Sequence, residues 1–407
     1  MEDIILALKR LFMNDILPLR KAGSEEVGRD FGTVQVLWDG TKFKPYSSSI
    51  NVFSARLFRQ WLSAQEGSGI ISGTGLYILL AIIFAAAGNR LRSEIEKITD
   101  TGLLLRSSLL RELMEALEGS DRWAKFRLKN AFWYHKGVVL NPDFRKILTE
   151  DFKSMGGPTN FSAERAQRTV NNWAKENSAG HIPELLELLR GNMIFAQMIK
   201  TKGVWLSPFE RMGSRTDLFF PEKGKPVAIE MMRTSGIFRR IKGAEWEAVY
   251  LPFGTELFTC ILVLPAKGKI LKEITEIYEP RIWQREELFF SEEISVTIPI
   301  FSLSRVMELG DFLKKMGLQT GFDPEAADFS RMSGEPVWLD QIIQGVHFEV
   351  GETGIGDNRF AKTKHQYRSH NPDLPEIIFD RPFYIVVIEN QTGLMLLQGI
   401  FEGEKSD

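Results

Sequence analysis

The sequence predicts an α+β fold, and three observations carry that expectation. Apolar residues at helical spacing dominate the chain up to about residue 190. Short apolar runs of strand length dominate it afterwards, and neither a repeat nor a shift in composition separates the two halves. At 407 residues, 43% of them hydrophobic, the chain can build one large domain or two average ones. The unbroken texture selects one.

Taken in order, residues 1–22 place Ile4, Ile5, Leu8, Leu11 and Phe12 on one helical face. Residues 31–50 read as extended and loop-like. An amphipathic helix is expected over 51–65, where Phe53, Leu57, Phe58, Trp61 and Leu62 recur at helical spacing. Gly67, Gly69, Gly73 and Gly75 then read as a flexible connector before a buried helix over 76–87. Their spacing is not G-x-G-x-x-G and they follow a helix rather than a strand, so a dinucleotide site is not indicated. Further helices are expected over 91–97, 103–117, 141–152, 163–177 and 308–315. Strands are expected over 193–201, 227–232, 246–251, 259–264, 295–301, 345–349 and 384–389. The segment 351–375 is polar, rich in basic and small residues, and has no period. A structureless run of that length inside a domain is usually functional or disordered.

Composition excludes several functions. With 51 basic and 53 acidic residues the net charge is −2, which gives no global field for nucleic acid or an anionic membrane. The longest apolar stretch, 76–87, is too short to span a bilayer. Cys260 is the single cysteine, so no intrachain disulfide or one-chain thiolate cage forms. It lies in an apolar run and reads as a buried, inert thiol compatible with cytosol or secretion. The first residues place two acids before a short apolar stretch broken by Lys9 and Arg10, which is not a secretory signal. An intracellular or an already matured chain is expected from that. His135, His181, His347, His365 and His370 are scattered and read as surface residues, with no metal site among them. Arg122, Lys125, Arg127 and Lys129 form a basic run that reads as a solvated face. A sulfated polysaccharide has no further support there. No Walker lysine, G-x-S-x-G elbow or H-E-x-x-H assembles an enzyme.

Several ordered motifs resemble one family. They include Val170-Asn171-Asn172-Trp173 with Gly180, Ile182 and Leu185-Leu186, and Lys202-Gly203-Val204-Trp205 with Pro208-Phe209, Thr216 and Phe220. Val249-Tyr250-Leu251-Pro252-Phe253, Leu262-Val263-Leu264-Pro265, and the line Pro299, Leu309, Leu313, Met316-Gly317, Phe322, Ala327-Asp328-Phe329-Ser330 follow. Arg381-Pro382-Phe383, Asn390, Thr392-Gly393 and Gly399 close the series. Together they resemble the serpins over about 51–401. The resemblance implies a serpin fold with about nine helices around three β-sheets, formed by 51–407 after an N-terminal extension over 1–50. It also implies an exposed reactive-centre loop at about 352–375. In serpins a protease takes this loop as substrate, and the cleaved loop inserts into the main sheet as a new strand. The implied protein is a non-catalytic monomer without cofactor, working outside cells on a trypsin-like serine protease, with the cytoplasm left open.

Glu352-Thr353-Gly354 resembles the opening of the family's loop hinge. Counting fifteen residues from Gly354 reaches Arg368, so the implied scissile bond is Arg368–Ser369. An exposed arginine before a small residue suits a trypsin-like pocket through a charge-assisted fork. Two departures from the family argue for poor insertion. The hinge continues Ile355-Gly356-Asp357-Asn358-Arg359-Phe360-Ala361 instead of as small residues. If Ile355 points inward, alternation sends Asp357 and Arg359 inward too; the other phase buries Asn358 and Lys362. The second departure lies in the sheet-opening region, where the family usually places a hydrogen-bonded serine, asparagine and histidine. Here Ser72 is kept, Gly75 replaces a second serine, and Gln197 and Gln344 replace the asparagine and histidine, so that network is expected to be rebuilt or absent. The expectation is a substrate-like or non-inhibitory serpin, with a working inhibitor of trypsin-like proteases as the alternative.

Overall fold

The computed structural model describes residues 40–100, 107–161, 164–186, 192–209, 213–356 and 373–403. The helix expected over 1–22 and the loop residues Asp357, Arg359, His365, Arg368, Ser369 and His370 lie outside the described residues.

Helix α1 (Lys44–Ala64) begins earlier than its sequence period implies, and part of the segment expected to be extended is helical. Pro45 occupies the first turn, where its missing N–H costs nothing and its fixed φ suits a helix. Ile50 then joins Phe53, Leu57, Phe58 and Trp61 on the buried stripe. The glycine-rich stretch is not a flexible connector. Gly69–Ile71 forms the buried strand β1, and Ser72 caps helix α2 (Gly73–Ala86), its Oγ accepting from the Gly75 amide at 2.9 Å. Glycine is needed for close approach: a Cβ at Gly73 would stand 2.4 Å from the Ser54 Cα on α1. Every residue of α2 from Leu76 to Ile83 is at most 4% exposed, so this helix forms the centre of the core.

Helices α3 (Asn89–Thr99) and α4 (Ser107–Gly119) follow, each amphipathic as expected. The helix expected over 141–152 is instead a short α5 (Pro142–Lys146) running into a π turn at Ile147–Asp151. The later helices are α6 (Glu164–Asn177) and α7 (Gly310–Met316). Seven α-helices are thus present among the described residues. None of the described helices is long and apolar enough to cross a membrane.

Fifteen strands are present among the described residues, with several short 3-10 turns between them. A six-stranded sheet runs in the order β10 (Phe301–Glu308), β11 (Gln341–Gly351), β12 (Gly354–Ile355), β4 (Met193–Val204), β2 (Ala124–His135) and β3 (Met155–Thr159). The other two sheets share one long strand, β6 (Val227–Lys242). On one side β6 pairs with β5 (Arg215–Phe219) and β9 (Phe290–Pro299), and β9 pairs with β13 (Glu376–Ile378). On the other side the last residues of β6 lead to β7 (Trp246–Phe253), β8 (Phe258–Pro265), β14 (Phe383–Glu389), β15 (Leu394–Phe401) and β1. Cys260 lies fully buried on β8, and desolvation pushes its thiol pKa up. Of the basic run, Lys125, Arg127 and Lys129 fall on β2, where Arg127 and Lys129 pair with Glu118 at 3.0 and 3.3 Å.

Helix α6 lies on one face of the six-stranded sheet. Val170, Trp173 and Ala174 pack with Ala131 and Trp133 of β2, Ala196 and Met198 of β4, and Ile343 of β11. Trp173 meets Trp133 edge-on at 5.4 Å. The residues after α6 double back along it, and Asn171 holds the return. Its Oδ1 accepts from the amides of Leu185 and Leu186, both at 3.0 Å, and its Nδ2 donates to the Leu186 carbonyl at 3.0 Å. Asn171→Ala is expected to cost about 1–3 kcal/mol by stranding these part-buried groups. A chemical-denaturation midpoint measures the loss; an unchanged midpoint would mean that water replaces the side chain without cost.

Candidate functional site

Strands β4 and β11 run parallel and in register from Ile194↔Gln341 to Lys200↔His347. Beyond that point they separate, and the short strand β12 fills the gap. β12 pairs antiparallel with β11 through Val350↔Ile355 and Gly351↔Gly354, and antiparallel with β4 through Gly203↔Ile355 and Val204↔Gly354. The expected hinge residues Glu352, Gly354 and Ile355 are therefore brought together at the upper end of the sheet. Ile355 is fully buried and shares the inward face with Val350, the orientation on which the first of the two alternation phases is premised. After Ile355 the strand stops: Gly356 takes φ +74° while its amide donates to the Glu349 carbonyl at 2.8 Å. The left-handed backbone is one that glycine adopts without steric cost.

The K-G-x-W motif anchors this hairpin. The Trp205 amide donates to the Thr353 carbonyl at 3.0 Å, and its indole Nε1 donates to the Gly351 carbonyl at 2.8 Å. The Phe209 amide donates to the Glu352 carbonyl, and the Ser214 hydroxyl donates to the Glu352 carboxylate. Trp205 is 1% exposed, so its donor sits in an apolar surrounding where a lost partner is costly.

Lower on β11, at Gln344, the second predicted region is rebuilt as a row of buried amides. Gln344 and Gln197 are register partners across the β4–β11 seam, and Gln197 and Asn130 are register partners across β4–β2. The Gln344 Oε1 accepts from the Ser72 amide at 2.9 Å, while its Nε2 donates to the Ser72 carbonyl at 3.0 Å and to Gln197 Oε1 at 3.1 Å. Gln197 Nε2 donates onward to the Gly75 carbonyl at 3.1 Å and to Asn130 Oδ1 at 2.9 Å. Asn130 Nδ2 completes the row by donating to the Phe152 carbonyl at 3.3 Å. The three amides are at most 1% exposed. A Cβ at Gly75 would stand 2.2 Å from Gln197 Oε1, so the lost serine makes room for the longer side chain.

Sequence reasoning missed Asn130, although a signal existed. Lys125, Arg127 and Lys129 mark the outward positions of β2, so Phe126, Leu128, Asn130 and Phe132 alternate inward, and Asn130 is the polar residue among them. It also misread His347 as a surface residue. His347 is 1% exposed, and its ring stacks on that of His181 at 3.7 Å between centroids. The two histidines lie on separate elements and meet only because the return after α6 crosses β11.

A family model described as Serpin (serine protease inhibitor) matches residues 48–402. Plasminogen activator inhibitor 1 of Neovison vison is 25% identical over 368 residues, covering 85% of this chain and 90% of the relative. The human protein Z-dependent protease inhibitor is 25% identical over 367 residues, covering 85% and 80%. Among solved structures, human thyroxine-binding globulin in complex with thyroxine superposes with a TM-score of 0.81 at 19% identity, covering 90% of this chain and all of that one.

Gln344→Ala is expected to leave the Ser72 amide and Gln197 Oε1 without partners, at about 1–3 kcal/mol for each group. Differential hydrogen exchange measures it, with amide protection expected to fall along the Ile194–Lys200 and Gln341–His347 pairing. Unchanged protection there would show that the amide row does not hold the seam.

Proposed function

The chain belongs to the serpin family, and we propose that it offers Arg368–Ser369 to trypsin-like serine proteases as a bait whose loop inserts poorly after cleavage. Relatives in the family include protease inhibitors and a thyroxine-binding globulin. The setting proposed is extracellular.

The observation that carries the reading is the phase of β12. Ile355 sits inward between Val350 and Gly203. A cleaved loop that continues this strand keeps the register and alternation. Asp357 then falls between Thr201 and Phe348, Arg359 between Ile199 and Val346, and Ala361 between Gln197 and Gln344. Thr201 offers Asp357 a partner, because its buried hydroxyl has no hydrogen bond. Arg359 meets hydrocarbon on both sides, since Ile199 is 1% and Val346 0% exposed. An uncompensated guanidinium there costs several kcal/mol, of which pairing with Asp357 along the same face offsets a part. Ala361 must also displace the Gln197–Gln344 hydrogen bond. Insertion therefore meets resistance at the second and third inward positions past Ile355.

A second reading, a working inhibitor, is favoured by one observation: Gly354 and Ile355 already lie in the sheet, so the new strand needs no nucleation. A short incubation with trypsin separates the two. Expected is cleavage after Arg368, a new amino terminus at Ser369, and no covalent complex on a denaturing gel. A band at the summed mass with that same new terminus would establish the inhibitor, and cleavage elsewhere would refute the bait assignment.

Heat tests the insertion argument by itself. The cleaved protein is expected to melt close to the intact one, whereas cleaved Arg359→Ala is expected to melt well above its intact form. Equal behaviour of the two cleaved proteins would show that Arg359 is not the obstacle.

A further inference from the structure

We propose that His181, His347 and Glu349 form a binding site for a divalent transition-metal ion of the zinc class, joining the return after α6 to β11. The ligand atoms of the three residues lie within 4.8 Å of one another, and two imidazoles with one carboxylate are a donor set that suits such an ion. The proposal is independent of the loop's function.

His347 is the fixed member. It is 1% exposed, and its Nδ1 lies 2.8 Å from the Ser304 hydroxyl of the adjacent strand β10. With Nδ1–H donating to Ser304, Nε2 carries the lone pair, and the ring is oriented by a second contact as metal-binding histidines usually are. That Nε2 is buried and has no hydrogen-bond partner, an arrangement that is costly unless something else uses the lone pair. Glu349, two residues along and on the same face of β11, places Oε2 3.8 Å from it. His181 closes the site from above, its ring stacked on His347 with 10° between the planes.

The remaining adjustment is small and falls on the part able to make it. Ligands on a tetrahedral ion at about 2.0–2.1 Å from each lie roughly 3.3 Å apart, so the group must contract and the His181 ring must tilt out of the stack. His181 is exposed and Glu349 half-exposed, so the site opens to solvent and a fourth position is accessible to water. Lys200, the register partner of His347 on β4, brings a positive charge to the same face. Glu349 brings a negative charge beside His347 on that face as well. The donor set supplies two neutral imidazoles and one anion, so zinc, nickel and copper ions fit better than calcium or magnesium.

Titration of the full chain with zinc chloride by calorimetry tests the site. Expected is one ion per chain bound by the wild type, with a rise in the thermal unfolding midpoint, and loss of both in His181→Ala and in Glu349→Gln. Both substitutions lie at accessible positions and leave the buried His347 in place, so folding of the variants is checked by their metal-free melting. Failure of the wild type to bind would overturn the proposal. So would stoichiometric binding that survives both substitutions, which would place the ion on other histidines.

Discussion

The hydrogen bond between Gln344 and Gln197 crosses the parallel pairing of β4 with β11, at the middle of the six-stranded sheet. Around it, β2 pairs antiparallel with β4 and β10 pairs antiparallel with β11. Between β4 and β11 the strands run the same way, and a parallel ladder is slightly weaker per residue than an antiparallel one. β12 is antiparallel to both neighbours, so each residue it adds exchanges one parallel pairing for two antiparallel ones. The backbone of this sheet thus favours taking in a strand. The amide row works against that, because the first side-chain contact to break is fully buried and fully satisfied.

The amide row also ties elements that are otherwise separate. Through Ser72 and Gly75 it holds the start of the central helix α2, and through Asn130 it reaches the Phe152 carbonyl at the end of the π turn. Ser72 is held from the other side as well, its hydroxyl donating to the Leu396 carbonyl of β15 at 2.6 Å, with Thr74 donating to the Met395 carbonyl. A shift of β11 is therefore felt at the cap of α2 and across to the second sheet. None of the three amides titrates, so the strength of this junction does not change with pH, unlike one built on a histidine.

Much of this was legible in the sequence, for identifiable reasons. Long amphipathic periods such as 51–65 and apolar runs such as 259–264 reflect burial on one face or on both, and burial is what fixed them as elements. Motif spacing drew attention to Gly354, Ile355, Gln197 and Gln344, which all lie along the β4–β11 seam. Local reading failed where a partner far along the chain decides the structure. In the stretch 67–75 the glycines outweigh the strand-forming residues Ile70 and Ile71, and β1 forms where β15 offers it an edge to pair with. Asn130 looks like one more polar residue until its strand phase is known. His181 and His347 share no motif, and only the return after α6, held by Asn171, brings them together.

Alternation along β11 divides the demands made on an inserted strand. Gln344, Val346, Phe348 and Val350 face the interior, whereas Ile343, Gly345, His347 and Glu349 face α6 and its return. In the register set by Ile355, Phe360 would face α6 between Met198 and Gly345, in apolar surroundings where it would take the place over Gly345 that Met198 and Ile182 now fill. Arg359 would face the interior between Ile199 and Val346. One face thus gains a well-placed aromatic ring while the other receives a charge with hydrocarbon on both sides. Burying a ring such as Phe360 contributes about 1.5–3 kcal/mol, and an unpaired interior guanidinium costs several. The two are of similar size and opposite sign. For a strand inserted in that register, the balance would turn on how completely Asp357, opposite Thr201, neutralised its neighbour two residues along the same face.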